Sequence, residues 1–460
     1  MDIPKIIKEM RELRESVDCL HTQVCNLTRS NQRLLKENKE LRQRLSKYEQ
    51  PPKDSSNSGT PPSKENIKSE VVRRTSSLRE KSDKPVGGQV GHAGVTRQAE
   101  DSPEEIIDHF STYCSTCGAD LSPSERVLEY TRQEVDVPWV EPVIREHRYY
   151  TRICKCGCRN RGYESRKPGG NKIVFGKNVQ ALVVYYNVVQ CIPYERLQLM
   201  LKSIYGIKMS QGTISNIIQS AKQKSEPAIA MIKDFISRSP VVGFDESGCY
   251  CNDRLDWSWI AQTIYCTLVF RARGRGSKVL DDMFGESLEN MTAVTDRHSA
   301  YFTLNFFSHQ ICLAHILREL KYLGQIDARQ QWSVEMESLL KEAIHTRNQN
   351  PKIIIDIGHW LERLDKLLKQ NVEHLGENFR RLKNGLIKCR DYIFKFLENP
   401  SIPSNNNASE RGFRKLKVKQ KVSGTFRSDE GADAFFALHS ICDTARKNSQ
   451  SELQAILAII

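Results

Sequence analysis

Leucine returns at every seventh residue near the start of this chain, and few patterns restrict a fold so strongly. With Leu13, Leu20, Leu27, Leu34, Leu41 and Tyr48 taken as position d of a heptad, position a holds Met10, Val17, Val24, Asn31, Asn38 and Leu45. Every d residue is apolar, and charged or polar residues fill most places between. An apolar stripe of period 3.5 leaves water only by facing a second helix. Residues 1–50 are therefore expected to form a coiled coil roughly 65 Å long, at about 1.5 Å per residue. Asparagine at position a costs stability but favours two parallel strands, because each can pair with its mate. The expected assembly is a homodimer through this leucine zipper.

The character changes at residue 51. No Phe, Trp or Tyr occurs between Glu49 and His109, and residues 51–100 hold eight Ser, five Pro and five Gly. Such a stretch cannot bury enough apolar surface to offset its ordering entropy, so 51–108 is expected to be a disordered basic linker. Two patches stand out in it, Ser-Ser-Asn-Ser-Gly-Thr-Pro-Pro-Ser at 55–63 and Lys-Pro-Val-Gly-Gly-Gln-Val-Gly-His-Ala-Gly at 84–94. The whole chain carries 69 Lys and Arg against 56 Asp and Glu, a net charge of +13 over 460 residues. That excess favours a polyanionic partner, most simply nucleic acid. No signal-peptide core opens the sequence, and the apolar run Val179–Val189 is interrupted and too short to span a bilayer. No membrane partner is expected; the expected location is the cytoplasm, in association with the nucleoid.

Five of the 14 cysteines cluster. Cys114-Ser-Thr-Cys117-Gly118 is a knuckle, and Cys154-Lys-Cys156-Gly157-Cys158 is the second half of a pair. Four thiolates suit tetrahedral zinc, and glycine lets the turn aim backbone N–H groups at sulfur. Residues 109–166 are expected to form a zinc-ribbon-like domain with structural Zn²⁺ on Cys114, Cys117, Cys154 and Cys156, with Cys158 as the alternative fourth ligand. The intervening stretches Glu134–Val137 and Val143–Tyr150 read as strands.

Residues 172–236 read as helical. Val179–Val189 gives one helix, and Tyr194–Tyr205 a second with Leu197, Met200, Leu201 and Ile204 at helical spacing. Ser210 follows a glycine turn as a candidate N-cap, and Gln211–Ala221 gives a third helix. There Ile214, Ile217 and Ile218 face inward, while Gln211, Thr213, Ser215, Asn216 and Gln219 face outward. A helix, a short turn and a helix with polar outer residues is the pattern of a helix-turn-helix DNA-binding region.

From Pro240 the texture is that of strands. Val241–Phe244 runs into Asp245, Trp257–Ala261 and Tyr265–Arg271 follow, Ser277–Phe284 reads as a helix, and Met291–Thr295 runs into Asp296. Gln310–Leu313 is a further short strand before a helix at His315–Tyr322. Three strands, a helix and a strand is the order of a ribonuclease-H-like core, and ligands bind at strand ends in α/β sheets. Asn405–Ser409 is a polar loop opening a helix that carries Glu410. Between Asp296 and Glu410 the expected helices Trp332–Arg347, Pro351–Gln370 and Leu375–Glu398 form a helical insertion of about 325–400. The core is placed at 237–428, followed by C-terminal helices at 429–460. Three acids from three elements suit two Mg²⁺ or Mn²⁺ ions, which serve in-line attack at phosphorus. The acids lie beside a basic stripe, Arg411, Arg414, Lys415, Lys417, Lys419, Lys421 and Arg427, with no acid from Arg411 to Arg427. Such a stripe suits a DNA backbone.

These residues together resemble the insertion-sequence 66 family of transposases, in its large catalytic subunit. The marks are the zipper, the two linker patches, the cysteine knuckles, and Tyr194-Glu-Arg-Leu197 leading to Ser210-Gln-Gly-Thr-Ile214. The catalytic part matches at Phe244-Asp-Glu-Ser247, Asp296-Arg-His-Ser-Ala-Tyr301, Cys312-Leu-Ala-His315-Ile-Leu-Arg318-Glu-Leu-Lys321 and Ser409-Glu-Arg411. The resemblance implies a DDE transposase with a ribonuclease-H-like α/β core, whose three acids are Asp245, Asp296 and Glu410. His315 and Arg318 match a His-x-x-Arg helix. These two, with Arg411 and Arg414, are candidate phosphate or active-site contacts. The family implies binding of terminal inverted repeats and target DNA, strand cleavage and strand transfer. Accessory proteins of the same element are further candidate partners. Ser247 stands where the family usually has Thr, and the second knuckle departs from the commoner CxxCG spacing. A non-enzymatic DNA-binding regulator or an inactive transposase copy is the rival reading.

Overall fold

The heptad segment is a single helix, Ile3–Glu49. Among the described residues its stripe is uncovered: Val17, Leu20, Val24, Leu27, Leu34 and Leu41 all face water, Leu27 at 69% exposure. The structure, a computed structural model, describes residues 3–49, 98–138, 140–161, 173–327 and 330–460. The patches at 55–63 and 84–94 lie outside these residues, as do the side chains of Met10, Leu13, Leu45 and Tyr48.

The chain divides into two compact units. One comprises Met1–Ser76, Ala228–Tyr250 and Arg254–Arg414; the other comprises Ser77–Pro227, Cys251–Asp253 and Lys415–Ile460.

The second unit opens with the cysteine segment. It pairs two three-residue strands, β1 (Thr151–Ile153) and β2 (Arg159–Arg161), antiparallel across the second knuckle. The strands expected at Glu134–Val137 and Val143–Tyr150 are absent: the described backbone there has no regular structure. Their alternating residues have nothing to pack on. Val137 is 78% and Ile144 91% exposed, and alternation without a partner strand makes no ladder.

Helices follow at Lys177–Val184, continued by a π-turn at Tyr185–Val189, and at Tyr194–Tyr205, then Gln211–Ser237. The last runs well past the expected Ala221 and through Pro227. Gly206 ends the second helix in the left-handed conformation, φ +64°, which favours glycine. Ser210 Oγ accepts the N–H of Thr213 at 3.1 Å, so the cap forms as expected. Leu197, Leu201, Ile214, Ile217 and Ile218 are buried, but Ile204 is half exposed. Two C-terminal helices, Asp429–Lys447 and Glu452–Ile459, complete this unit and bury Phe435, Phe436 and Ile456.

The first unit holds a five-stranded mixed sheet. Its strands are β3 (Val241–Cys251), β4 (Arg254–Gln262), β5 (Thr267–Ala272), β6 (Thr292–Thr295) and β7 (Ser308–Ile311). Their order across the sheet is β5-β4-β3-β6-β7. Asn252 and Asp253, both at positive φ, form the two-residue tip between β3 and β4, as the right-handed twist of a hairpin requires. β4 and β5 are antiparallel, and β6 lies parallel to both β3 and β7. All of β6 is buried, in keeping with its central place among parallel strands. Asp245 does not end its strand as expected. β3 continues to Cys251 because its other edge stays in the hairpin, but its pairing with β6 stops at Gly243. Asp245 therefore lies just past the point where the parallel pair opens, beside Asp296, which follows β6.

The helix Leu313–Ile326 backs the sheet and carries the insertion: Trp332–Gln349, Gly358–Lys369, Glu377–Lys388 and Lys395–Glu398. The second insertion helix starts at Gly358 rather than near Pro351. Residues 351–357 instead offer their backbone elsewhere: Ile355 N–H donates to Leu397 O at 3.0 Å. The third expected helix breaks into short pieces around Cys389. Leu320, Leu340, Leu364, Phe379, Leu386 and Phe394 form the core here, each contributing about 1.5–3 kcal/mol by leaving water. Buried Arg347 ties the insertion together by donating to the carbonyls of Asn350, Ile353, Phe396 and Leu397. Among the described residues, no helix is long and apolar enough to cross a membrane.

Candidate active site

Asp245, Asp296 and Glu410 come from a strand, a strand end and a helix of one unit. The helix Asn407–Gly412 is docked on the sheet by small residues. A Cβ on Gly243 would stand 2.8–2.9 Å from Gln262 Nε2, Asn406 Oδ1 and Ser409 Oγ, and one on Gly412 would strike Ile260. Asn406 secures the entry: its Nδ2 donates to Phe244 O at 2.6 Å, its N–H to Cys312 Sγ at 3.1 Å, and its Oδ1 accepts Ser409 Oγ at 2.6 Å. Glu410, one residue beyond Ser409, is thereby carried to β3.

The electrostatics bear this out. Burial, and then the negative charges of Glu246, Asp296 and Glu410, push the Asp245 carboxyl well above the usual carboxylate range, with His315 opposing them. Glu410 Oε1 lies 3.1 Å from Arg318 Nη2 and 3.5 Å from His315 Nε2. Burial disfavours a charge on His315, but the adjacent Cys312 outweighs it and raises the imidazole to about 9. The Arg318 guanidinium and the His315 ring of the His-x-x-Arg helix therefore both face Glu410. Asp296 is oriented by its own turn, where Oδ1 accepts the N–H of His298 at 2.8 Å.

Sequence reasoning passed over Glu246. Its side chain is buried, takes the Tyr301 hydroxyl and the Arg275 guanidinium, and lies 4.0 Å from His298 Nδ1, itself buried without a hydrogen-bond partner. Burial and Asp296 raise its carboxyl, while Tyr301 and Arg275 hold it back. The motif residues Glu246 and Tyr301 were legible as a pattern, but their pairing across the sheet was not.

The donor set fits hard divalent cations. Carboxylate oxygens gather where a buried acid is already destabilised by its neighbours' charge, and a cation is what relieves that. Among the described residues, the oxygens of Asp245, Asp296 and Glu410 do not all lie within 4.8 Å of one another.

Residues 172–434 match the model of the Transposase IS66 family. The chain belongs to the IS66 transposase family. No curated protein sequence matches it. A family transposase acts on DNA, and the remaining expected contacts of this IS66 chain can be set against its surface. Arg411, Arg414, Lys421 and Arg427 are exposed, and Lys417 is half-buried. Lys415 is half-buried and paired with Glu452 at 2.9 Å. Lys419 is a correction to the basic stripe. It is buried, burial lowers its pKa to about 8, and its ammonium faces the Phe435 ring and Asn187 O. A lysine held there does not face a phosphate. On the third helix Gln211 and Asn216 are exposed, whereas Thr213 is engaged with Ser210 and Ser215 with Tyr194.

The two knuckles are built alike. Gly118 donates to Cys114 O and Ala119 O accepts from Cys114, while Gly157 donates to Cys154 O and Cys158 O accepts from Cys154. Both glycines are left-handed, at φ +72° and +82°. Cys117 and Cys156 are thus equivalent, and Cys158 occupies the place of Ala119, outside the knuckle. Backbone N–H groups lower the thiols of Cys114 and Cys156, as a thiolate ligand needs. Among the described residues, no three of the five sulfurs all lie within 4.8 Å of one another.

Proposed function

We propose that this chain is an active DDE transposase that cuts element ends and joins them to target DNA. The observation that carries the reading is the convergence of Asp245, Asp296 and Glu410, distant in sequence, at the opening between β3 and β6. The sheet order, with an antiparallel β5-β4-β3 half and a parallel β3-β6-β7 half, supports a ribonuclease-H-like core. Asp245, Asp296 and Glu410 would hold two Mg²⁺ or Mn²⁺ ions, which would lower the cost of charge on the attacking and leaving oxygens. Arg318 and His315 fix the carboxylate of Glu410, and exposed Arg411 and Arg414 meet the phosphates. Water attacks the phosphodiester at the element end, leaving a 3′-OH and a 5′-phosphate; the 3′-OH then attacks a target phosphodiester and displaces the target strand's own 3′-OH, without a covalent protein intermediate.

The helix-turn-helix presents Gln211 and Asn216 to the terminal repeats. Cys114, Cys117, Cys154 and Cys156 would hold a structural zinc, which would tie the two knuckles together, and the zipper holds two subunits so that two ends are brought together. The test is metal-dependent nicking of a labelled duplex from the element end. Wild type should nick at the boundary; Glu410→Gln and Asp245→Asn should not, while binding the duplex within about twofold of wild type. Loss of binding along with cleavage, or nicking by Glu410→Gln, would refute the assignment.

A further inference from the structure

Apart from the Arg275–Glu246 pair, the segment around the end of β5 has no role above. From Arg271 at the end of β5 to Lys278 at the start of the next helix the chain reads Arg-Ala-Arg-Gly-Arg-Gly-Ser-Lys, in which Arg271 and Arg273 pair with buried Asp256. Its course is set by Trp259 on β4, whose indole N–H donates to Gly274 O at 3.1 Å. This brings the Arg275 guanidinium over the Trp257 ring, 4.8 Å from its centroid, and onto Glu246. Nε and Nη2 both reach Glu246 Oε1, at 2.8 and 2.6 Å. Among the described residues, Nη1 has no hydrogen-bond partner, and the Arg275 side chain is 41% exposed.

Three features go beyond a structural pin. First, Glu246 is a buried carboxylate beside Asp245 and Asp296, so it adds like charge where the site already has too much. A well-packed apolar pair would be at least as stable as such a buried ion pair. Second, the glycines flanking Arg275 are not demanded by the fold. Neither Gly274 nor Gly276 has positive φ, and a Cβ on Gly276 would meet nothing within 4 Å. Glycine without a conformational or packing need leaves room for another backbone to approach. Third, a guanidinium stacked and gripped along one edge keeps its other edge in a fixed direction, the geometry that suits a phosphate.

We propose that Arg275, positioned by Glu246 and Trp257, grips a DNA phosphodiester at the rim of the acid site, with Gly274 and Gly276 letting that strand lie close. The grip sets where the strand crosses the opening between β3 and β6. Glu246 and Trp257 are positioning residues. The inference rests on the transposase reading, which the cleavage assay above tests separately.

The experiment measures how affinity for the element-end duplex falls with salt, using full-length protein in Ca²⁺ so that affinity is read without turnover. Arg275→Ala should reduce the slope of log K against log salt by about 0.9, the share of one phosphate contact. Arg275→Lys should keep that slope, since it keeps the charge. The double variant Glu246→Gln/Arg275→Ala removes the buried acid together with its partner and should match Arg275→Ala. In Mg²⁺, Glu246→Gln should keep the slope but lower nicking roughly tenfold by loosening the grip. An unchanged slope in both Arg275→Ala and the double variant would show a structural pin and overturn the proposal. That result would leave the three-acid reading standing. A wild type that binds with the expected slope loss in Arg275→Ala but never nicks would refute the reading and keep the contact.

Discussion

At the residue scale, His309 shows how burial settles chemistry. It sits on β7 with ring neighbours Phe302, Phe306 and Tyr392, at 5.0, 5.9 and 5.2 Å. Its Nε2 lies 2.7 Å from Thr295 Oγ1, whose one proton goes to Asp296 O at 2.7 Å, so His309 Nε2 donates to that hydroxyl. Burial lowers its pKa to about 4. The unfolded chain binds this proton near pH 6.5 and the folded chain near pH 4, so stability falls as pH drops through that window and levels off below it. The loss reaches roughly 3 kcal/mol. Urea unfolding between pH 7 and 4 should show this slope, and His309→Asn should flatten it. An equal slope in the variant would place the titration elsewhere. None of this was legible in the sequence, where His309 was one residue of a short expected strand. Asp245 and Asp296, by contrast, were legible because apolar runs lead into each.

At the scale of elements, the docking of Asn407–Gly412 on the sheet decides whether Glu410 reaches Asp245. Gly243→Ala forces a methyl onto the Asn406–Ser409 hydrogen bond. We expect a cost of about 1–3 kcal/mol and nicking reduced roughly tenfold or more, because the helix must shift. Thermal unfolding and the nicking assay check this together; full activity at lowered stability would mean the helix does not need that seat. The knuckles make a second case. Zinc per chain should stay at about one in Cys158→Ser and be lost in Cys114→Ser and Cys156→Ser. Retention in Cys156→Ser with loss in Cys158→Ser would reverse the equivalence drawn from the backbone hydrogen bonds. The elements with their own period or caps, such as Tyr194–Tyr205 and the Ser210 cap, were readable in advance. The expected strands at 134–150 were not formed, because a strand is defined by a neighbour that local sequence does not contain.

At the scale of the molecule, the proposed zipper dimer rests on the exposed stripe of Val17, Leu20, Val24, Leu27, Leu34 and Leu41. Leu20→Glu with Leu27→Glu removes two d-position leucines from each strand and puts like charges across the seam. Sedimentation should then show a monomer where wild type is a dimer, with end binding reduced and the acid site intact. A variant that stays dimeric would place the interface outside the zipper. What the sequence alone determined were the features written in local periodicity and composition: the long helix, the paired knuckles, the strands leading to Asp245 and Asp296, and the motif set of the IS66 family. Packing between distant segments is what turns Lys419 inward, carries β3 past Asp245 and sets Arg275 on Glu246. Those outcomes depend on which distant residues share a surface. A side chain's burial and charge are set by neighbours that the chain brings together only on folding.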